Sequence, residues 1–397
     1  MARSTVRAVA LGVTELARPT STAEVVAGVR RAREAKSSLR IVGRGHWLDA
    51  GRDCRADDTL GLAALAGVTE YEPGDLVISA RAGTTLAEIA RVTASEGQWL
   101  TLDPFGTAEG SIGATIATAS SGPLASAFGT PRDHLLGCEV VTGAGHVVRS
   151  GGRVVKNVAG FDLSRLMTGA WGTLGVITEV TVRLRARPEV DRTIAISFGR
   201  ANRDPVTDAG RWLRASAFTP LAAELCSPSL ARSIGAGDGI LLLVRLGGNE
   251  GLVSAAERSI AELGDASVLD GSVWDRLRTA EPAGSATVRL GGLPAQIGYV
   301  WKAASQAVER ADGHAHATLE RGVVRCVLRV DPAEEDNGRL RGMIAELQSS
   351  GSRIAERLPR SIWDRFPSAA ADPLSLEIRR AFDPLLLLNP GILGELA

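Results

Sequence analysis

The sequence predicts an α+β protein of two domains, and three observations carry that expectation. The chain has 397 residues, too many for one ordinary core. Glycine-rich segments punctuate its first half, and after Pro188 the texture changes to strand-like and helix-like runs in succession. Such a succession is the pattern of helices packed on an open sheet.

The elements follow in order. Ser21 and Glu24 have capping-box spacing, and Val25, Val26, Val29 and Ala32 recur at helical intervals as far as Lys36, which predicts a first helix. Residues 39–42 form a short apolar run ending in the stretch GRGHW at 43–47, a strand followed by a tight loop. Thr85 and Glu88 repeat the capping box before Leu86, Ile89 and Val92, with Gly97 at the expected helix stop. From Thr107 to Gly122 the run TAEGSIGATIATASSG holds little larger than threonine, so another backbone or a ligand can come very close. Residues 138–142 and 146–149, joined by Gly143, Ala144 and Gly145, read as a hairpin, and 176–184 alternates like a strand with one buried face. Beyond Pro188, strands are expected at 194–198, 240–246 and 323–330, and helices at 206–217, 252–263 and 339–348. The apolar patch Leu385 to Leu388 is read as a short strand or helix end.

Composition excludes several functions. Forty-five basic and forty-five acidic residues cancel, so the charge that drives many phosphate contacts on nucleic acid is missing. There is no run of about 18 apolar residues to span a bilayer and no signal-like start, so a cytosolic protein is expected. Cys54, Cys138, Cys226 and Cys326 stand far apart without a CxxC pair, which argues against structural zinc and iron–sulfur clusters. His314 and His316 are two residues apart; that spacing suits no zinc helix motif, and a solvated loop is expected. The three lysines, Lys36, Lys156 and Lys302, follow no glycine, so the phosphate loop GxxxxGK[ST] is absent.

The remaining chemistry lies in glycine. The segments 43–45, 110–113 and 169–175 do not match the GxGxxG fingerprint of a Rossmann site, which disfavours a nicotinamide enzyme of the usual kind. Backbone amides freed by glycine turns can still hold a pyrophosphate, although each segment by itself also reads as an ordinary turn.

Taken together and in order, the GRGHW loop, GSIGA, SSGP, the RDHLLG hairpin and the run KNVAGFDLSRLMTGAWGTLGVITEVTVRL resemble the vanillyl-alcohol-oxidase or PCMH-type FAD-binding domain. Within that superfamily, the segment 151–180 and the ending AFDPLLLLNPGIL resemble the FAD-binding subunits of bacterial glycolate oxidases. Over 188–362 the resemblance is weak. It implies a PCMH-type domain of two α+β subdomains at 1–187, an α+β cap with an open antiparallel sheet at 188–360, and a segment 361–397 returning toward the first domain.

The resemblance also implies a site. Gly43, Arg44, Gly45, His46 and Trp47 would wrap the FAD pyrophosphate with main-chain amides. Gly110, Ser111, Gly113 and Ala114 would pass beside the flavin and its ribityl chain, Gly122 would continue that path, and Pro104 would shape the wall by the ring. Ile177 would offer backbone groups to the adenine end, and Asp133 would hold the preceding loop or serve as a plain turn residue. His46 is expected to hydrogen-bond rather than to join the flavin covalently. Lys156 and Asn157 would stabilise negative charge on flavin or substrate or form a surface ion pair, Trp171 is expected in core packing, and Asn389 would return to the flavin. No catalytic residue and no metal ligand can be singled out, and the HxxGDGNxH-like motif of the larger catalytic subunits is absent.

Three functions follow as expectations. One is an FAD subunit working with a larger FAD-containing subunit and an iron–sulfur subunit on a small 2-hydroxy acid, in the cytoplasm or held at the inner membrane face by partners. The others are a free-standing FAD oxidase or dehydrogenase, and a non-catalytic assembly subunit.

Overall fold

The computed structural model describes residues 14–16, 18–152, 162–198, 204–330, 337–347, 352–370 and 372–394. The chain forms two compact units, one made of 1–121, 129–187 and 367–397, the other of 122–128 and 188–366.

In the first unit, β1 (Thr14–Leu16), β2 (Leu39–Val42) and β3 (Asp58–Gly61) make a parallel sheet in the order β1-β3-β2. Helix α1 (Thr22–Ala35) packs beside it because Val25, Gly28, Val29 and Ala32 fall on one face. Ser21 accepts the Glu24 N–H at 3.3 Å at its start, and Lys36 ends it at φ +54°. Val25, Val29, Leu39 and Leu60 close this core, each contributing about 1.5–3 kcal/mol by leaving water.

A second sheet is antiparallel, with β4 (Val68–Glu72), β5 (Val77–Arg81), β7 (Leu135–Val141), β8 (Val147–Gly151) and β9 (Val176–Arg183) in the order β4-β5-β9-β7-β8. The short strands β6 (Gln98–Trp99) and β10 (Arg185–Ala186) pair separately. Helix α2 (Leu86–Ala94) is capped by Thr85, which accepts the Glu88 N–H at 2.9 Å. It ends at Ser95, two residues before Gly97. Helix α3 (Ile112–Thr118) and the short α4 (Leu163–Met167) place Ile112, Ile116 and Met167 against Ile78, Val180 and Val182. The hairpin expected between 138 and 149 is β7–β8.

The second unit is an eight-stranded antiparallel sheet carrying helices. Its strands are β11 (Val190–Ser197), β12 (Ala222–Cys226), β13 (Leu241–Gly248), β14 (Asp265–Leu269), β15 (Ala286–Gly291), β16 (His314–Thr318), β17 (Val323–Leu328) and β18 (Ser352–Arg357). Their order is β14-β11-β13-β12-β16-β17-β15-β18, with every neighbour pair antiparallel. Helices α5 (Pro205–Ala215), α6 (Glu250–Ile260), α7 (Ile297–Arg310) and α8 (Gly338–Glu346) bury Trp212, Val253, Trp301 and Met343 with Ile196, Leu225, Val244, Val288 and Cys326.

The sheet's other face carries several buried polar groups. Registered pairing puts Cys226, His316, Arg325 and Arg289 side by side across β12, β16, β17 and β15. Arg325 pairs with Glu281 and, at 2.6 Å, with Glu356, which also meets Arg289 at 2.6 Å. The solvated loop expected around His314 and His316 is therefore incorrect. His314-Ala-His-Ala-Thr alternates with period two, so Ala315 and Ala317 enter the helix-covered core while buried His316 holds Glu224 at 2.7 Å on the opposite face.

After this unit the chain adds α9 (Pro373–Phe382) and a tail to the first unit. Leu385 lies in a turn, and Leu388 bridges in parallel to Leu39. Among the described residues no helix is long and apolar enough to cross a membrane.

Candidate functional site

The chain leaves the C-terminal end of β2 through Gly43 and turns sharply at Gly45, where φ is +84°. That backbone region is costly for side chains other than glycine. Among the described residues, no acceptor takes the main-chain N–H groups of Gly43, Arg44 and Gly45. Three successive donors are thus presented to a cleft. The Arg44 guanidinium donates to the carbonyls of Ala63 at 3.1 Å and Gly83 at 3.4 Å, and His46 Nε2 lies 2.9 Å from Thr107 Oγ1.

The start of α3 faces this loop. Gly113 donates to the Ala82 carbonyl at 2.9 Å, an approach that a side chain would block: a Cβ there would lie 2.8 Å from that oxygen. Ser111 is buried, and its hydroxyl has no hydrogen-bond partner among the described residues. A buried hydroxyl left in this state costs about 1–3 kcal/mol, so its placement at a cleft marks it for a ligand.

The cleft encloses about 90 Å³, and its whole open volume is about 760 Å³. Ile41, Leu62, Ala117 and Ile177 give it apolar walls, while among the described residues the ionisable side chains lining it are Arg40, Arg44 and His46, with no carboxylate. An anion joined to flat apolar rings suits such a lining. The amides, the Ser111 hydroxyl and the lack of a carboxylate among the described lining residues therefore fit a dinucleotide pyrophosphate.

Of the residues singled out in the sequence, Gly43, Arg44, Gly45, His46, Trp47, Ser111, Gly113, Ala114 and Ile177 line the cleft. Gly110 stands one residue outside it, where its carbonyl accepts from Leu86 at 3.0 Å. Pro104 is buried away from the lining, and Gly122 belongs to the other compact unit. Asp133 caps a single helical turn, accepting from the Thr130 N–H at 2.7 Å and hydroxyl at 2.8 Å; the Thr130 main-chain bond holds its carboxyl below the usual range. Lys156 and Asn157 lie outside the described residues. Trp171 departs from the expected core packing: it is half-buried at φ +52°, lines the cleft and meets Trp47 edge-on at 6.0 Å. Asn389 and Ile392 line it as well, and only the NPG signal near the end of the sequence pointed to Asn389.

Comparison with known proteins agrees with this chemistry. A family described as an FAD binding domain matches residues 14–151. Glycolate oxidase subunit GlcE of Escherichia coli (strain K12) is 34% identical over 253 residues, 63% of this chain and 66% of that protein. Glycolate oxidase subunit GlcD of Bacillus subtilis (strain 168) is 35% identical over 127 residues, 32% of this chain and 27% of the relative. The chain thus spans just under two thirds of the first relative and about a quarter of the second. Among solved structures, p-cresol methylhydroxylase with substrate bound superposes with TM-score 0.75 at 16% identity, over 96% of this chain and 88% of that one; this is a likeness of fold. Residues 14–151 accordingly match an FAD-binding domain, and the chain shares the fold of p-cresol methylhydroxylase.

Proposed function

We propose that the chain is the FAD-binding subunit of a glycolate-oxidase-like complex that oxidises a small 2-hydroxy acid. The observation that carries this reading is the row of open N–H donors at Gly43, Arg44 and Gly45 in a cleft that, among the described residues, no carboxylate lines, together with the likeness to subunit GlcE. FAD, when bound, supplies the two-electron redox chemistry. The protein's own part is to hold the pyrophosphate on the loop amides, to give the Ser111 hydroxyl a partner, and to set the rings against Ile177, Ala114 and the small residues of α3. Gly110 and Pro104 act behind this wall, and Asp133 fixes the turn before β7. His46, engaged with Thr107, hydrogen-bonds and forms no covalent link.

The partners in this reading are a larger FAD-containing subunit and an iron–sulfur subunit, since an electron taken up by one flavin needs an acceptor. The complex works in the cytoplasm or at the inner membrane face. The test is an absorbance spectrum of the purified chain before and after acid precipitation. Flavin bands released by acid are expected. Bands retained by the pellet favour a covalent His46 adduct and a free-standing oxidase; no bands after reconstitution with FAD overturn the reading.

A further inference from the structure

The loop that carries the three open amides is bonded to a distant part of the chain as well as to itself. Both of its ends are gripped by the last stretch of the chain, more than three hundred residues away in sequence. Upstream, Leu387 accepts from the Leu39 N–H at 2.8 Å, the Asn389 N–H donates to the Leu39 carbonyl at 2.8 Å, and Asn389 Oδ1 accepts from the Ile41 N–H at 2.7 Å. Downstream, the Arg52 main-chain N–H donates to the Ile392 carbonyl at 3.0 Å and the Arg55 main-chain N–H to the Pro390 carbonyl at 3.1 Å. The tail therefore adds an edge to β2 and closes on the far side of GRGHW. Asn389 makes a third connection, donating through Nδ2 to the Trp171 carbonyl at 2.7 Å. It is 3% exposed and sits at φ +44°, a conformation asparagine tolerates better than most residues.

From this we infer that Asn389 is a positioning residue for the dinucleotide, and that the tail around it is an integral wall of the FAD site. It spans the sheet end at Ile41 and the turn at Trp171, and so fixes the spacing between the two sides of the cleft. This rests on the FAD reading of the cleft given above. An anion held by several main-chain amides needs them at fixed separations, because binding that must first order the loop loses affinity to the ordering cost. A side chain that pre-sets the loop acts on FAD affinity through the spacing of the loop amides.

The test compares the full-length chain with Asn389→Ala and Asn389→Asp. FAD binding is read by quenching of flavin fluorescence, and hydrogen exchange is followed by mass spectrometry on peptides covering 39–55 and, as a folding control, on peptides of the eight-stranded sheet. Asn389→Ala is expected to raise the Kd for FAD at least tenfold and to speed exchange in 39–55 while the control peptides stay protected. Asn389→Asp keeps the acceptor for Ile41 but loses the donor to Trp171, and is expected to fall between Asn389→Ala and the unaltered chain. If Asn389→Ala also loses protection in the sheet, the decision passes to Asn389→Asp. FAD affinity within twofold of the unaltered chain in a folded variant overturns the positioning role. Failure of the unaltered chain to bind FAD overturns the cofactor reading itself, so the two failures are distinguishable.

Discussion

A Cβ on residue 43 would stand 2.5 Å from Ser111 Oγ: Gly43 is small because the start of α3 is pressed against the loop after β2. The contact joins the two segments that carry most of the candidate site. The obstacle is one hydroxyl, which can rotate, so Gly43→Ala should fold and lose function selectively. We expect a denaturation midpoint near that of the unaltered chain and at least about tenfold weaker FAD binding, equivalent to about 1.4 kcal/mol. Titration of FAD against the apoprotein checks it.

Gly113 behaves differently. Its Cβ would meet Ala82 Cβ at 2.6 Å and the Ala82 carbonyl oxygen at 2.8 Å, and the strand end cannot rotate aside. Gly113→Ala should destabilise the first unit by about 1–3 kcal/mol, as overpacking does. Urea denaturation of the FAD-free chain reads this directly.

In the second unit, stability should depend on the ion pairs of Arg325. Burial pushes the Glu356 carboxyl up, but Arg325 and Arg289 beside it win and hold it at about 2. The folded value lies below the ordinary one, so this contribution is complete above about pH 4.5 and is lost as pH falls toward 2. Glu356→Gln should flatten that acid limb. Arg325→Met, which leaves two buried carboxylates without their main cation, should cost about 3–5 kcal/mol at neutral pH. Denaturant titrations at a series of pH values separate the two effects.

His314 should act in a higher window. Burial holds its imidazole down at about 4, with His316 and Arg325 lowering it further and Glu281 opposing. The unfolded chain therefore binds the proton more readily. Stability is full above about pH 6.5 and declines as pH falls to about 4. His314→Gln should remove that decline while leaving the limb below pH 4 in place. A slope between pH 6.5 and 4 no shallower in the variant than in the unaltered chain would contradict the assignment, because His134, which burial also holds below the usual range, keeps only its own share.

Local signals carried much of the first unit. Ser21 with Glu24 and Thr85 with Glu88 are short-range patterns, and each marks a helix start that forms with its side-chain cap. The small residues of 107–122 reported a close approach, which is α3 on Ala82. In the second half, β12, β14, β15, β16 and β18 escaped notice, as did α7. Their runs are short or carry charges that look solvent-facing, and only pairing across the sheet buries Glu224 and Arg325.

The sequence by itself thus determined the α+β class and the glycine turns, because capping, period and φ preference act within a few residues of one another. The tertiary structure alone decided which glycines share a cleft, that Gly110 and Pro104 stand outside its lining, and that the tail at Asn389 ties Ile41 to Trp171. Those relations join residues from tens to hundreds of positions apart, and no local preference encodes a distance of that kind.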